Sequence, residues 1–339
     1  MDNRITILVA NHHLARTGGT ENYTFALASA LSRAGYSVEY FTFVKGMISD
    51  KLEELGINYM SKKKYDLILA NHYTTVDKLY KYGLIIQTCH GVFPALEHPS
   101  KRADLYVAVS EEICRHLESK GLEATIINNG IDCNRFRCIN PVNESIKSVL
   151  SLCQGQAAGE MVAGICKKRN YRYLQANKFT DNVYDVETLI NQADIVVGIG
   201  RSLYDAMACG RPVISYDSRD YSDALGDGYL DGTNIADSLK CNCSGRSFKL
   251  HFNEESLSAE FDKYKAADGV FLRDFALKNL NVDRNAEKYL DLYNREFTFK
   301  RRIRKIKILF LSSEFVHCVC HPRHLLWRIK NMFSHSPKV

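Results

Sequence analysis

Short apolar runs alternate with longer segments of helical spacing, and the alternation happens twice. ITILVAN (Ile5 to Asn11), SVEYFTF, YDLILAN, LIIQTCHG, DLYVAVS and ATIINNG read as strands. Between them, Phe25, Leu27, Ala28 and Leu31 mark a helical face that ends at Gly35, with Thr20 as its expected cap and Glu21 in its first turn. SDKLEELG, VDKLYKYG and EEICRHLESKG are further helices. The strands are continuous apolar runs, as expected for a parallel sheet covered on both faces. INPVNESIK breaks the pattern as a polar connector. It then restarts with SVLSLC, GEMVAGICKKRN, YRYLQAN, DVETLINQA and DIVVGIG, and from Glu254 onward the spacing is mostly helical. The expected fold class is α/β, with two doubly wound Rossmann-like domains facing across a cleft. The expected limits are residues 1–140 and 145–285 for the two domains, 286–299 for a closing helix, and 300–339 for a basic amphipathic tail.

A length of 339 residues suits two cores of ordinary size, and 45% apolar residues excludes a disordered or fibrous chain. Charge is unevenly placed. Ten of the 45 Lys and Arg but one of the 39 acids fall in residues 300–339, so that segment carries +9 and the rest −3. A mildly acidic globular part argues against nucleic acid as partner and for a local contact with something anionic. Lys300 to Lys330 mixes bases with Ile, Leu, Phe and Trp327, which fits either an anionic membrane surface or a helix packed back on the N-terminal domain. The first residues lack a cleavage site and read as a strand rather than a signal peptide. Eleven cysteines without a repeating frame suggest reduced, mostly buried thiols and a cytoplasmic setting, at most peripheral on the inner face of a membrane. Cys241 and Cys243, and the stretch from His317 to His324, have C-x-C spacing tighter than structural zinc sites use, so no metal is expected.

DIVVGIGRSLYDAMACGRPVISYD, from Asp194 to Asp217, carries the functional signal: strand, glycine turn, helix, strand. Three readings compete for Gly198 and Gly200. A dinucleotide site would need a third glycine where Leu203 stands. A tight strand-to-helix turn needs the glycines and no ligand. The third is a nucleotide diphosphate at the helix start, held by unpaired amides and the helix dipole. There Arg201 and Ser202 stand at the entrance, and Asp205 one turn on is placed to accept ribose hydroxyls.

Four segments in order favour the third reading. GGTENYTFALASALSRAGYSVEYFT, ADLYVAVSEEICRHL, IINNGIDCNRF and GIGRSLYDAMACGRPVI together resemble the signatures of retaining, GT-B fold glycosyltransferases of the family four type, over roughly Ile5 to Asp217. The resemblance implies that Gly18 and Gly19 approach the donor phosphates, where a Cβ would hold the backbone away. It implies that His90 faces the transferred sugar and supports developing positive charge, and that the leaving diphosphate takes the acceptor proton on the same face. It implies no catalytic metal and no resident cofactor, with a nucleotide-diphosphate sugar as co-substrate. His12, His13 and His72 also stand at strand ends, where a plain structural role is the simpler reading.

Two departures stand out. That family commonly carries two glutamates eight positions apart; here Val197 replaces the first and Asp205 the second. It commonly has an Arg and a Lys after the first strand of the second domain; here that loop is SLCQGQAAGEM, without a base. The resulting expectation is a retaining glycosyltransferase that uses a nucleotide sugar, a UDP-sugar on frequency grounds, and a glycan or lipid-linked acceptor. A non-catalytic sugar-nucleotide or glycan-binding relative and a nucleotide-sugar epimerase are the alternatives.

Overall fold

A computed structural model describes residues 5–177, 184–219 and 223–311, with side chains as far as Glu296. The first half alternates β1 (Thr6–Ala10), α1 (Gly19–Arg33), β2 (Ser37–Phe41), α2 (Met47–Glu54), β3 (Leu67–Ala70), α3 (Tyr73–Leu79), β4 (Leu84–Cys89), β5 (Leu105–Ala108), α4 (Glu111–Glu118) and β6 (Ala124–Ile126). Its six strands form one parallel sheet in the order β2-β1-β3-β4-β5-β6. The second half runs β7 (Ser148–Ser151), α5 (Gln156–Arg169), β8 (Arg172–Gln175), α6 (Val186–Ile190), β9 (Ile195–Gly198), α7 (Arg201–Ala208), β10 (Val213–Tyr216), β11 (Leu225–Leu230), α8 (Ile235–Leu239), β12 (Leu250–His251), α9 (Glu254–Phe261), α10 (Ala266–Asn279) and α11 (Val282–Leu311). Its sheet has the order β12-β11-β10-β9-β7-β8.

The inner strands of both sheets are buried on both faces, as the continuous apolar runs predict: Ile7, Leu8 and Val9 in β1, and Ile195, Val196 and Val197 in β9, have no exposure. In each sheet the first strand lies inside, and the next two flank it on opposite sides. The chain therefore leaves β1 and β3, and likewise β7 and β9, in diverging directions, which opens a crevice beyond their carboxyl ends.

The antiparallel β11 and β12 were not foreseen. LGDGYL carries two glycines because the backbone crowds there: a Cβ on Gly226 would stand 2.5 Å from the Ser215 carbonyl, and Gly228 has φ +73. The expected Thr20 cap is also corrected. Helix α1 begins at Gly19 with Gly18 as its N-cap, and the Glu21 carboxylate folds back over Gly18, leaving Thr20 inside the first turn.

The two halves are joined twice, side by side. The Ile131 amide donates to the Leu280 carbonyl (2.7 Å) and the Val282 amide to the Ile131 carbonyl (2.9 Å). Ile131, Cys133 and Phe136 already pack in the second core, ahead of the polar connector. Helix α11 then returns to the first domain: Val282, Ala286, Tyr289 and Tyr293 form an i, i+4, i+7, i+11 stripe buried in its core against α1. The Tyr23 hydroxyl donates to that of Tyr289 (2.8 Å), which also meets Thr88 Oγ1 (2.7 Å), so this junction has a buried polar seam.

The basic segment expected at 300–339 begins within α11, and residues 312–339, with the His317–His324 stretch, lie outside the described residues. Among the described residues no helix is long and apolar enough to cross a membrane. The nine described cysteines are free thiols.

Candidate functional site

A cleft of about 680 Å³ lies between the carboxyl ends of the two sheets. Its first-domain wall is built by the loop from His13 to Gly19, by His72 at the N-terminus of α3, and by His90 at the end of β4. Its second-domain wall is built by the turn Ile199–Ser202 with Asp205 behind it, by Gln154 after β7, by Arg219 after β10, and by Asn242 and Arg246.

Of the residues expected from sequence, Gly18, Gly19, His90, Gly200, Arg201, Ser202 and Asp205 all line this one cleft. Gly198 is not brought to it. It is buried in β9 opposite Ser215, and a Cβ there would touch Leu152 and Ser202 at 3.4 Å, so its smallness serves packing beneath the turn. Gly200 has φ +61, a backbone state that favours glycine, and its amide is taken by the Cys243 carbonyl (2.9 Å). The next two amides, of Arg201 and Ser202, donate to no backbone or side-chain group among the described residues. They are the open donors of the α7 N-terminus.

Below them lies an incomplete ion pair. Arg201 Nη1 donates to the Gly130 carbonyl at 2.8 Å, but its Nε has no hydrogen-bond partner. Asp205 Oδ1 is 3.8 Å from that Nε and is likewise without one. Both side chains are about nine-tenths buried. Burial pushes the Asp205 carboxyl up to about 6 while the Arg201 charge pulls it back, and burial lowers Arg201. Unsatisfied buried polar atoms are costly and rare, and here two of them share the floor of an open cleft.

Both ring nitrogens of His90 face amide oxygens: Nε2 faces Asn71 Oδ1 (2.9 Å) and Nδ1 faces Asn129 Oδ1 (3.1 Å). Burial, with His72 nearby, drives its pKa down to about 3, so the ring is neutral and carries one proton. Asn71 fixes where that proton sits. Its Nδ2 donates to Thr24 Oγ1 (2.7 Å), whose own proton goes to the Thr20 carbonyl (2.7 Å), so Asn71 Oδ1 must face the ring and Nε2 bears the hydrogen. A neutral ring has no second proton to give, so Nδ1 faces Asn129 Oδ1 without a hydrogen bond between them. His90 is thus an uncharged side chain fixed through Nε2.

His72 is neutral as well, lowered to about 4 by burial and by the neighbouring His12. Its Nδ1 accepts the His12 amide at 3.2 Å, which puts the proton on Nε2. His13 pairs with Glu21 at 3.2 Å. These histidines, set aside from sequence, do bring His13 and His72 to the cleft wall.

Sequence reasoning missed Asn71, Asn129, Arg219 and Arg246. Asn129 stood inside the segment IINNGID, and a base directly after the strand PVISYD was a readable signal for Arg219. Arg246 belongs to the second domain yet holds Glu112 of the first in a two-pronged pair (2.7 and 2.7 Å), with Phe93 beneath its guanidinium. Asn129 Nδ2 reaches Asn242 Oδ1 across the same gap (3.3 Å). Among the described residues no three His, Cys, Asp or Glu side chains come together as metal ligands.

No protein-family model and no curated protein sequence matches this chain. Solved structures match it in shape. HepE of Anabaena, solved with UDP and glucose, superposes with a TM-score of 0.59 at 13% identity over 86% of this chain and 100% of that one. The pneumococcal O-GlcNAc transferase GtfA, solved with UDP and GlcNAc, gives 0.54 at 8% identity over 87% and 100%. TarM of S. aureus gives 0.53 at 12% identity over 86% and 100%. The fold is GT-B: two Rossmann-like domains with a cleft between them.

Proposed function

We propose that this chain is a glycosyltransferase that moves a sugar, with retention of configuration, from a nucleotide-diphosphate donor to an acceptor held by the first domain. The observation that carries the reading is the floor of the cleft. Two open amides at the start of α7, an unpartnered Arg201 Nε and an unpartnered Asp205 Oδ1 converge there. A diphosphate accepts from the amides and the guanidinium, and a ribose hydroxyl donates to the carboxylate, so a sugar nucleotide satisfies all of these groups at once. The similar folds of HepE and GtfA, both solved with UDP, make a UDP-sugar the first donor to try.

In this reading the bond from the sugar's anomeric carbon to the diphosphate oxygen breaks and one to the acceptor hydroxyl forms. The acceptor proton passes to the departing diphosphate. The protein positions both partners and stabilises charge: the α7 amides and Arg201 hold the growing negative charge, and the neutral His90, fixed by Asn71, walls the sugar without competing for the proton. The first-domain wall, with Phe93, His13 and His72, faces the acceptor, a glycan or a lipid-linked sugar. The nine free thiols among the described residues suit a reducing, cytoplasmic setting. An acceptor on an anionic membrane surface would be approached through Lys300–Lys330; binding of the full chain, but not of residues 1–299, to anionic vesicles tests that part.

A non-catalytic relative is the second reading, favoured by Val197 where a glutamate is common. A panel of sugar nucleotides separates the two. The enzyme stabilises against heat with one donor, slowly releases its nucleoside diphosphate, and loses that release in Asp205→Ala and His90→Ala. Stabilisation without release across donors and acceptors supports the second reading. Sugar epimerisation without transfer would identify an epimerase.

A further inference from the structure

Asn242 has a left-handed backbone, at φ +60, and so does Cys243 after it, at φ +46. Such a loop persists only where its surroundings hold it. Here the Cys243 carbonyl accepts the Gly200 amide (2.9 Å) and Ser215 Oγ (3.3 Å), so the loop is clamped onto the turn that opens α7. Asn242 lies over that turn: its Nδ2 and its carbonyl oxygen are each 3.6 Å from where a Cβ on Gly200 would stand.

The neighbours of Asn242 settle which way its amide points. The Tyr204 hydroxyl, with no exposure, gives its one proton to Asn242 Oδ1 (3.0 Å), and Asn129 Nδ2 donates to the same oxygen from the first domain (3.3 Å). Turning the amide over would set its nitrogen against the Asn129 nitrogen. Nδ2 is therefore left over. It donates to nothing among the described residues, and Asn242, half-buried, lines the cleft with Ile199, Gly200 and Arg201. The same contacts give its place along the cleft. Asn129, which donates to Asn242, turns its own oxygen to His90 Nδ1 (3.1 Å). Asn242 thus stands between the start of α7, where the functional reading puts the diphosphate, and His90, which walls the sugar.

We propose that Asn242 binds the transferred sugar: its Nδ2 donates to a hydroxyl oxygen of that sugar, and so selects the donor by its sugar rather than by its nucleotide. The inference rests on the functional reading above and adds to it the residue that reads the sugar. Tyr204 and Asn129 are positioning residues. Asparagine meets both needs of this position, because it tolerates the left-handed backbone and presents an N–H that glycine lacks.

The test is calorimetric titration of the full chain, as wild type, Asn242→Gly and Asn242→Asp, with UDP-glucose, UDP-N-acetylglucosamine, GDP-mannose and ADP-glucose and with UDP, GDP and ADP. Glycine keeps the backbone and removes the amide. Aspartate keeps the backbone and the oxygen that Tyr204 and Asn129 use, removes the donor, and adds a charge that acts on sugar nucleotide and diphosphate alike. The readout is the ratio of sugar-nucleotide to diphosphate affinity. The expected result is that wild type binds one sugar nucleotide and that both variants lower this ratio about 3- to 10-fold, the range of one neutral hydrogen bond. Deoxy analogues of that donor then locate the contact: loss of one sugar hydroxyl weakens binding to wild type but not to Asn242→Gly. An unchanged ratio overturns the inference alone, because Asn242 would then only support the Gly200 turn. Deoxy analogues that weaken binding equally in wild type and Asn242→Gly also overturn it. A wild type that binds a diphosphate and no sugar nucleotide overturns the inference; one that binds neither overturns the functional reading, and the inference with it.

Discussion

Arg201 Nε and Asp205 Oδ1 stand 3.8 Å apart, one helical turn from each other, both buried and neither hydrogen-bonded. The two atoms lie within ion-pair range of each other, but too far apart for a hydrogen bond. A carboxyl raised to about 6 by burial is a net cost at neutral pH: its contribution to stability is full below the unfolded value near 4 and is lost as pH rises through 6. Asp205→Asn should therefore raise the melting temperature of the ligand-free protein at pH 7.5 by a few degrees, from about 1–3 kcal/mol, while abolishing donor-induced stabilisation. A variant less stable than wild type, with donor binding kept, would show that Asp205 is only a structural group.

His72 and His90 titrate with the opposite sign. Both are depressed, to about 4 and about 3, so both contribute stability above the unfolded histidine value of about 6.5 and lose it as pH falls through the folded values. Thermal melts between pH 7 and 4 should show a steep acid loss. His72→Asn, which keeps a good residue at the N-cap of α3, should flatten that slope. Asp205→Asn should steepen it, because an opposing contribution in the same window is removed. A pH-independent midpoint in wild type would contradict the neutral assignment of both rings.

The Glu112–Arg246 pair bridges the two domains at the cleft, with side chains only about a fifth exposed. Arg246→Ala should cost about 1–2 kcal/mol and widen the cleft, read as a larger radius of gyration in solution scattering. If scattering is unchanged, the paired crossings at Ile131 and Leu280 hold the domains by themselves.

The parallel strands of both sheets were legible in the sequence because they are buried on both faces and read as unbroken apolar runs. β11 was not, because Gly226 and Gly228 interrupt it and its need for glycine comes from Ser215 and Glu260, which are distant in sequence. The helix turn at Gly200 was legible because it is local: strand, positive-φ glycine and helix follow one another. The amides that face His90 were not. Asn71 and Asn129 reach it across 19 and 39 residues, and no spacing rule connects an amide to an imidazole at that separation. The Gly155 turn after β7 was hidden for the same reason, since its amide is taken by Asp217 from 62 residues away.

Tyr289 joins α11 to the first domain through Tyr23 and Thr88, with all three groups buried. Tyr289→Phe should destabilise by about 1–2 kcal/mol, the cost of leaving buried hydroxyls unsatisfied, with donor affinity little changed. A neutral substitution would show that the apolar stripe of Val282, Ala286 and Tyr293 is what docks this helix.

The central claim is that a sugar nucleotide lies across the cleft with its diphosphate at the start of α7. A crystal structure of the full chain soaked with a donor that raises its melting temperature tests this most directly. The account predicts diphosphate oxygens about 3 Å from the amides of Arg201 and Ser202, with ribose hydroxyls on Asp205. A donor bound elsewhere, or a cleft in which Arg201 and Asp205 close on each other and shut the ligand out, would contradict it.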